Sequence, residues 1–298
     1  MSGESNFRCK IEAHSVNPVG DEVVTFDLCY ERFIHAEFMT HAAFNRNASS
    51  SRAIPFERMA AWMKRDPALP LHYGSNRPGM QSGGEVANRE GAKAYILDMM
   101  RAAEGHARGL VEVAGLHKEI VNRYLEPWGW INVVASMGRP AFMNFLALRM
   151  SPYAHPNIQR LAVAMARAYR ESVPTRLTEG EWHLPFTSDL PQETGEAHRI
   201  AWSVARSAWC SYKTVEGKEA TFAAAIRRHD DCVTLKHMTP CGHQFRSRAD
   251  HGRNGGPVAG FDQYRHMIAG ESVADFDFAA LLDTTYADRD FVVPGGVE

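Results

Sequence analysis

No run of 18 apolar residues occurs in the 298-residue chain, so no segment is expected to cross a membrane as a helix. The opening, MSGESNFRCK, lacks the apolar stretch of a secretory leader. Cysteine is scarce and odd in number, with Cys9, Cys29, Cys210, Cys232 and Cys241 scattered along the sequence. None forms a CxxC pair, which argues against a zinc ribbon or a disulfide scaffold. Excess charge is also missing: a net charge of −2 gives no electrostatic case for a nucleic acid polymer as partner. The Gly-rich stretch 72–84 holds neither GxGxxG nor GK[ST], which excludes a Rossmann or P-loop phosphate site there. These absences leave a globular protein expected in the reducing cytoplasm.

Val24, Phe26, Leu28 and Tyr30 alternate with Thr25, Asp27 and Cys29, which predicts a half-buried strand. Pro55 ends the polar stretch that precedes it, and Pro67, Pro70 and Pro78 punctuate a long loop that includes the Gly-rich stretch from His72 to Gly84. Helical periodicity runs from about 86 to 126, with Gly105 and Gly115 as candidate breaks. A short β-type run covers 131–134, and helices are expected over 139–149 and around 158–169. A loop follows over 176–194, then helices from about 195 to 211 and from about 218 to 236. With no repeats and no linker, residues 1–298 read as one α+β domain with a mixed sheet, long helices and long connections.

The densest chemistry lies in Thr40-His41-Ala42-Ala43-Phe44-Asn45-Arg46-Asn47-Ala48-Ser49-Ser50-Ser51-Arg52-Ala53. Arg, Ser and Asn without an acid describe a surface suited to an anion with flat polar edges, such as a nucleotide. Four further segments stand out, of which Gln263-Tyr264-Arg265 is too short to carry meaning alone. In His117–Trp128, Glu119 and Arg123 lie one helical turn apart, where a plain surface pair is the simple reading. Asn144–Arg149 reads as a core helix whose last-turn Arg favours the dipole. In His237-Met238-Thr239-Pro240-Cys241-Gly242-His243, the His-x₃-Cys-x-His spacing is no standard zinc site, so no metal is expected. Cys241 is weighed there as a nucleophile against a small buried apolar residue.

Taken in order, Thr-His-x₃-Asn-Arg-Asn-x₂-Ser-Ser-Arg-Ala, His-Lys-x₃-Asn-Arg-x-Leu-Glu-Pro, Asn-Phe-x-Ala-Leu-Arg, Glu181-Trp182-His183-Leu184-Pro185 and His-Met-x-Pro-x₂-His resemble the flavin-dependent thymidylate synthase family. The likeness runs from about residue 22 to 266, with the last motif displaced as in a rearranged branch of the family. It implies an α+β homotetramer with active sites shared between subunits. It implies FAD, 5,10-methylenetetrahydrofolate as carbon donor, NADPH as reductant, and methylation of C5 of uracil in a pyrimidine nucleotide monophosphate. On this resemblance Ser50, Ser51, Arg52 and Arg123 bind the nucleotide, and Glu37 falls where the family carries Gln. Arg149 lies against the uracil carbonyl edge, so that Arg149 and Ser50 are the catalytic candidates. His41, Asn47, Asn144 and His243 match flavin positions, with Arg46 placed to compensate for missing cations.

Departures from the pattern are specific. The family's Arg-His-Arg is Thr40-His41-Ala42, its Ser is Asn45 and its Glu is Ala48. Its Ser-Pro-Phe-Glu-His is Thr239-Pro240-Cys241-Gly242-His243. Such losses are expected to widen the pocket and relax the choice at the sugar. UMP is therefore expected beside dUMP, as in the relatives of polyoxin-type nucleoside antibiotic biosynthesis. The alternatives are a non-catalytic nucleotide-binding paralogue and a C5-hydroxymethylase on the same scaffold.

Overall fold

The computed structural model describes residues 6–210, 221–235 and 237–269. Strands β1 (Arg8–Val16) and β2 (Glu22–Glu31) form an antiparallel hairpin. Its turn is closed by Asn17 Oδ1, which accepts from the backbone N–H groups of Val19 and Asp21, and Gly20 supplies the positive φ of +93°. After helix α1 (His35–Met39) comes the edge strand β3 (Asn45–Ala48). Helices α2 (Phe56–Arg65), α3 (Arg89–Glu112) and α4 (Lys118–Val121) lead to strand β4 (Trp130–Gly138). Helices α5 (Arg139–Arg149) and α6 (Pro156–Glu171) and strand β5 (Thr175–Arg176) complete the first layer pair. The sheet order is β3-β4-β2-β1-β5, antiparallel except for the β1–β5 pair. A second, three-stranded sheet joins β6 (Trp182–His183), β7 (Phe245–Ser247) and β8 (Phe261–Gln263), beside helices α7 (Glu196–Ala208) and α8 (Phe222–Thr234). The architecture is thus α+β with a mixed main sheet.

The main core places Val24, Phe26, Leu28 and Tyr30 of β2 and Val133, Ala135 and Met137 of β4 against Phe142, Phe145, Ile158, Leu161 and Met165 of α5 and α6. The alternation along β2 predicts one wet face. Instead Thr25 and Cys29 on the other face are buried too, because polar partners from the second sheet cover Thr25. Between Pro55 and the long loop marked by Pro67, Pro70 and Pro78 lies a helix that the sequence pattern did not assign. Phe56, Met59, Ala60 and Met63 lie at helical spacing on α2 and bury against Met100, Ala107, Val121 and Leu125. Pro55 precedes that helix, where a missing N–H does no harm. Helix α3 runs through Gly105 unbroken, and the chain turns at Gly115 with φ +65°. Over 176–194, expected as loop, Arg176 at the end of β5 and the two residues of β6 are paired. Parts of the helices expected over 195–211 and 218–236 fall at 211–220 and 236, outside the described residues. Among the described residues no helix is long and apolar enough to cross a membrane.

Candidate functional site

Segment 40–53 is not the open surface that its composition predicts. Its middle is β3, laddered to β4 in the register Asn45↔Ser136, Arg46↔Ala135, Asn47↔Val134 and Ala48↔Val133. The ladder extends one residue further, since Ser49 N donates to Asn132 O (2.8 Å) and Ser49 Oγ accepts from Asn132 N (3.1 Å). His41, Ser49 and Ser51 are buried, and each has partners. Packing therefore satisfies most of the donors, and Arg52 remains exposed.

Before β3, four predicted residues meet. Burial of Phe142 and Phe145 fixes the face of α5 and leaves Arg149 at its last turn beside α1. Arg149 Nε donates to His41 Nε2 (3.0 Å) and its Nη2 donates to Thr40 Oγ1 (3.0 Å) and Glu37 O (3.3 Å). Its Nη1 lies 3.4 Å from Glu37 Oε2. His41 stacks on Phe44 and meets the edge of Phe145. Burial, then the Arg149 and Arg46 charges, push its imidazole down to about 4. His41 is therefore neutral at pH 7, accepts at Nε2 and carries its proton on Nδ1. Arg46 Nη1 donates to the carbonyls of Met39 (2.7 Å) and His41 (3.0 Å), closing the end of α1. That cation is already engaged, which limits how far it can replace the arginines absent at positions 40 and 42.

Past the end of β3, the 3-10 turn Ser51–Ala53 packs on the 117–128 segment. Asn122, fully buried, donates through Nδ2 to Ser51 O (2.9 Å) and Ile54 O (2.8 Å). Ser51 Oγ donates to Glu126 Oε1, which also pairs with Arg32 Nη2 at 2.7 Å. Arg52 Nη1 lies 3.6 Å from Glu119 Oε1, and Arg123 Nε donates to Glu119 O (3.2 Å). The simple Glu119–Arg123 surface pair is thus replaced: the Glu119 carboxylate faces Arg52, and Arg123 caps a carbonyl. Among the described residues the Ser50 hydroxyl has no partner, so the loop offers one free hydroxyl and two exposed guanidiniums to an anion. Behind the loop a cavity of about 270 Å³ is walled by Arg8, Arg32, Arg65, Ser51, Trp62 and Trp130.

At the start of β3 the polar groups are buried and neutral. His243 follows the 3-10 turn Thr239–Gly242, and its Nδ1 meets Ser136 Oγ at 2.8 Å. The contact continues from Ser136 Oγ to Thr25 Oγ1 (2.6 Å), His183 Nε2 (2.8 Å) and, through His183 Nδ1, Ser15 Oγ (2.9 Å). Burial pushes both His183 and His243 down to about 3. His243 Nε2 and Asn45 Nδ2 are buried with no partner. Leaving such a group unmatched costs about 1–3 kcal/mol, and a polar ring edge placed there would recover it. Unpartnered polar groups of this kind are what the hydrogen-bonding edge of a flavin would pair with. The expected widening at position 242 does not occur, however. A Cβ on Gly242 would lie 3.3 Å from Gln263 Nε2 and 3.4 Å from Asn45 Oδ1, so two carboxamides fill that space. Cys241 is fully buried and its thiol is pushed up to about 12 by desolvation, which removes it as a nucleophile.

The structure therefore brings Glu37, His41, Arg46 and Arg149 together, and separately Ser50, Ser51, Arg52 and Arg123. Asn47 donates to Ser207 O of α7 (2.7 Å), Asn144 is exposed on α5, and His243 is buried. Sequence reasoning missed Thr25, Asn45, Ser136 and Gln263 as site residues. The one available signal was His183 in the Glu-Trp-His-Leu-Pro motif.

No family model matches the chain, and no curated protein matches it. Among solved structures it is similar to a UMP/dUMP methylase, PolB, from Streptomyces cacaoi bound with 5-Br dUMP, at 21% identity and TM-score 0.41 over 50% of this chain and 66% of that chain. It is also similar to flavin-dependent thymidylate synthase ThyX from Helicobacter pylori complexed with FAD and dUMP, at 19% identity and TM-score 0.34 over 49% of this chain and 67% of that chain. The matched region thus spans about two thirds of those structures. At TM-scores under 0.5, what the site does rests on its own residues.

Proposed function

We propose that this chain is a flavin-dependent methylase of uracil C5 in UMP, dUMP or both, with methylenetetrahydrofolate as carbon donor and NADPH as reductant. The observation that carries this reading is convergence. Three motifs separated from it by up to two hundred residues touch segment 40–53: Arg149 on His41, Asn122 on Ser51 with Glu119 beside Arg52, and Gly242 against Asn45. Ser50, Arg52 and Arg123 hold the phosphate. Arg149 faces the uracil carbonyl edge, where its guanidinium stabilises negative charge as C5 becomes nucleophilic. The contacts with Glu37, Thr40 and His41 set the plane of that fork in advance. His41, Asn47, Asn144 and His243, aided by Arg46, hold FAD. Bound FAD supplies the hydride chemistry, so the protein needs no attacking side chain. A homotetramer whose neighbouring subunits complete each site is part of this reading.

The test is an assay of UMP against dUMP with FAD, NADPH and methylenetetrahydrofolate, with products read by mass. A methylated nucleotide is expected. A hydroxymethylated product would keep the scaffold and change the reaction. A colourless protein that binds nucleotide without turnover would leave only a binding role.

A further inference from the structure

Four hydrogen bonds link two buried imidazoles through two hydroxyls, from Ser15 by way of His183, Thr25 and Ser136 to His243. All five residues are buried. Proton counting restricts what this chain of contacts can do. Each hydroxyl carries one proton, and each neutral imidazole carries one N–H. Desolvation keeps both rings neutral at pH 7. Among the described residues, the hydroxyls of Thr25 and Ser136 have no partner outside the chain of contacts. Only two self-consistent directions remain. In one, Ser15 donates to His183 Nδ1, His183 Nε2–H donates to Thr25, Thr25 to Ser136, and Ser136 to His243 Nδ1. His243 then holds its proton on Nε2. In the other, every bond reverses, and both rings hold the proton on Nδ1.

We propose that His183 is a positioning residue for His243: Thr25 and Ser136 lock the two rings into the same tautomer and so fix whether His243 Nε2 meets the site as donor or as acceptor. The lock has a use because Nε2 is buried and unpartnered, with the equally unpartnered Asn45 Nδ2 on the strand position facing Ser136. A ligand edge arriving there meets one defined polarity and not a mixture. That this edge belongs to a flavin rests on the function proposed above; the lock itself does not.

Side-chain proton–nitrogen correlation spectra of the full chain read both tautomers directly, with His183→Asn and His243→Asn assigning the two rings. The same neutral tautomer is expected on both rings of the ligand-free protein. Thr25→Val removes the middle hydroxyl at nearly constant shape, and the rings should then titrate between tautomers independently. Thr25→Ser should restore the match. Ser15→Ala, at the far end, should move both rings in the same direction, a result that stands even where Thr25→Val fails to fold. Opposite tautomers in the wild type, or rings still matched in Thr25→Val, overturn the proposal. By calorimetry, Thr25→Val should weaken FAD binding about 10-fold, with Thr25→Ser near wild type. Unchanged FAD affinity in Thr25→Val overturns the positioning role. Matched rings in a protein that binds no FAD support the lock and remove the flavin reading.

Discussion

The two ends of β3 carry polar groups on opposite terms. Beyond Ala48, Arg52 and Glu119 keep 58% and 48% of their side-chain surface in solvent and stand 3.6 Å apart. Such a pair is worth at most about 1 kcal/mol, so an arriving phosphate displaces it at little cost. Before Arg46, by contrast, Ser136, Thr25, His183 and His243 are neutral, buried and hydrogen-bonded in series. Rearranging that series means breaking several bonds in a low-dielectric interior. On the proposed function, a ligand exchanged every cycle would be met by weak, wet ion pairs, and a ligand that must be aligned by dry, neutral contacts.

Arg149 puts this contrast to its hardest test, because it joins a charged group to a neutral, buried imidazole. Arg149→Lys keeps the charge and loses the planar fork across Glu37, Thr40 and His41. Turnover should fall about 100-fold with nucleotide affinity changed only a few-fold. Equal losses in kcat and affinity, from steady-state kinetics and calorimetry, would remove its transition-state role. At the buried end, Ser136→Ala strands Thr25 and His243 together and should lower unfolding free energy in urea by about 2 kcal/mol. An unchanged urea midpoint would show that the series contributes nothing. At the wet end, Arg52→Ala should weaken nucleotide binding about 10-fold and shift stability by under about 0.5 kcal/mol. A stability loss matching that of Ser136→Ala would erase the distinction between the two ends.

The gentlest probe is pH. His183 and His243 lie near 3 and His41 near 4 when folded, against an ordinary 6.5. Below pH 6.5 the unfolded chain therefore binds more protons than the folded one. Their contribution to stability is complete above pH 6.5 and drains away as pH falls toward 3. His243→Gln should flatten this acid limb in denaturant titrations while Arg52→Ala leaves its slope alone. Identical slopes in both variants would place the acid sensitivity elsewhere.

Sequence reading reached the wet end more easily than the dry one, for physical reasons. Arg149 was visible because Phe142, Phe145 and Leu146 mark a helix face that ends at it. Arg52 was visible because a segment with guanidiniums and hydroxyls but no acid is unusual, whereas Arg123, flanked by Glu119 and Glu126, was reached only through the family resemblance. Thr25 and Ser136 look like ordinary strand residues, and nothing local couples residues 111 positions apart. Helix α2 was missed because the prolines around it drew attention from the spacing of Phe56, Met59, Ala60 and Met63. The half-buried reading of β2 failed because a sequence shows which face is apolar, and not what later covers the other face.

Gly242 carries a last consequence. Where the family it resembles has an acid, this chain has no side chain, and the carboxamides of Asn45 and Gln263 close over the spot at 3.4 and 3.3 Å. Two amide dipoles stand where the resembled family has one carboxylate, and Gln263 Nε2 is held in place by donating to Gly242 O (2.8 Å). Glutamate at 242 alone would drive a carboxylate into both amides, so substitutions at 45, 242 and 263 are coupled and their energies should be far from additive.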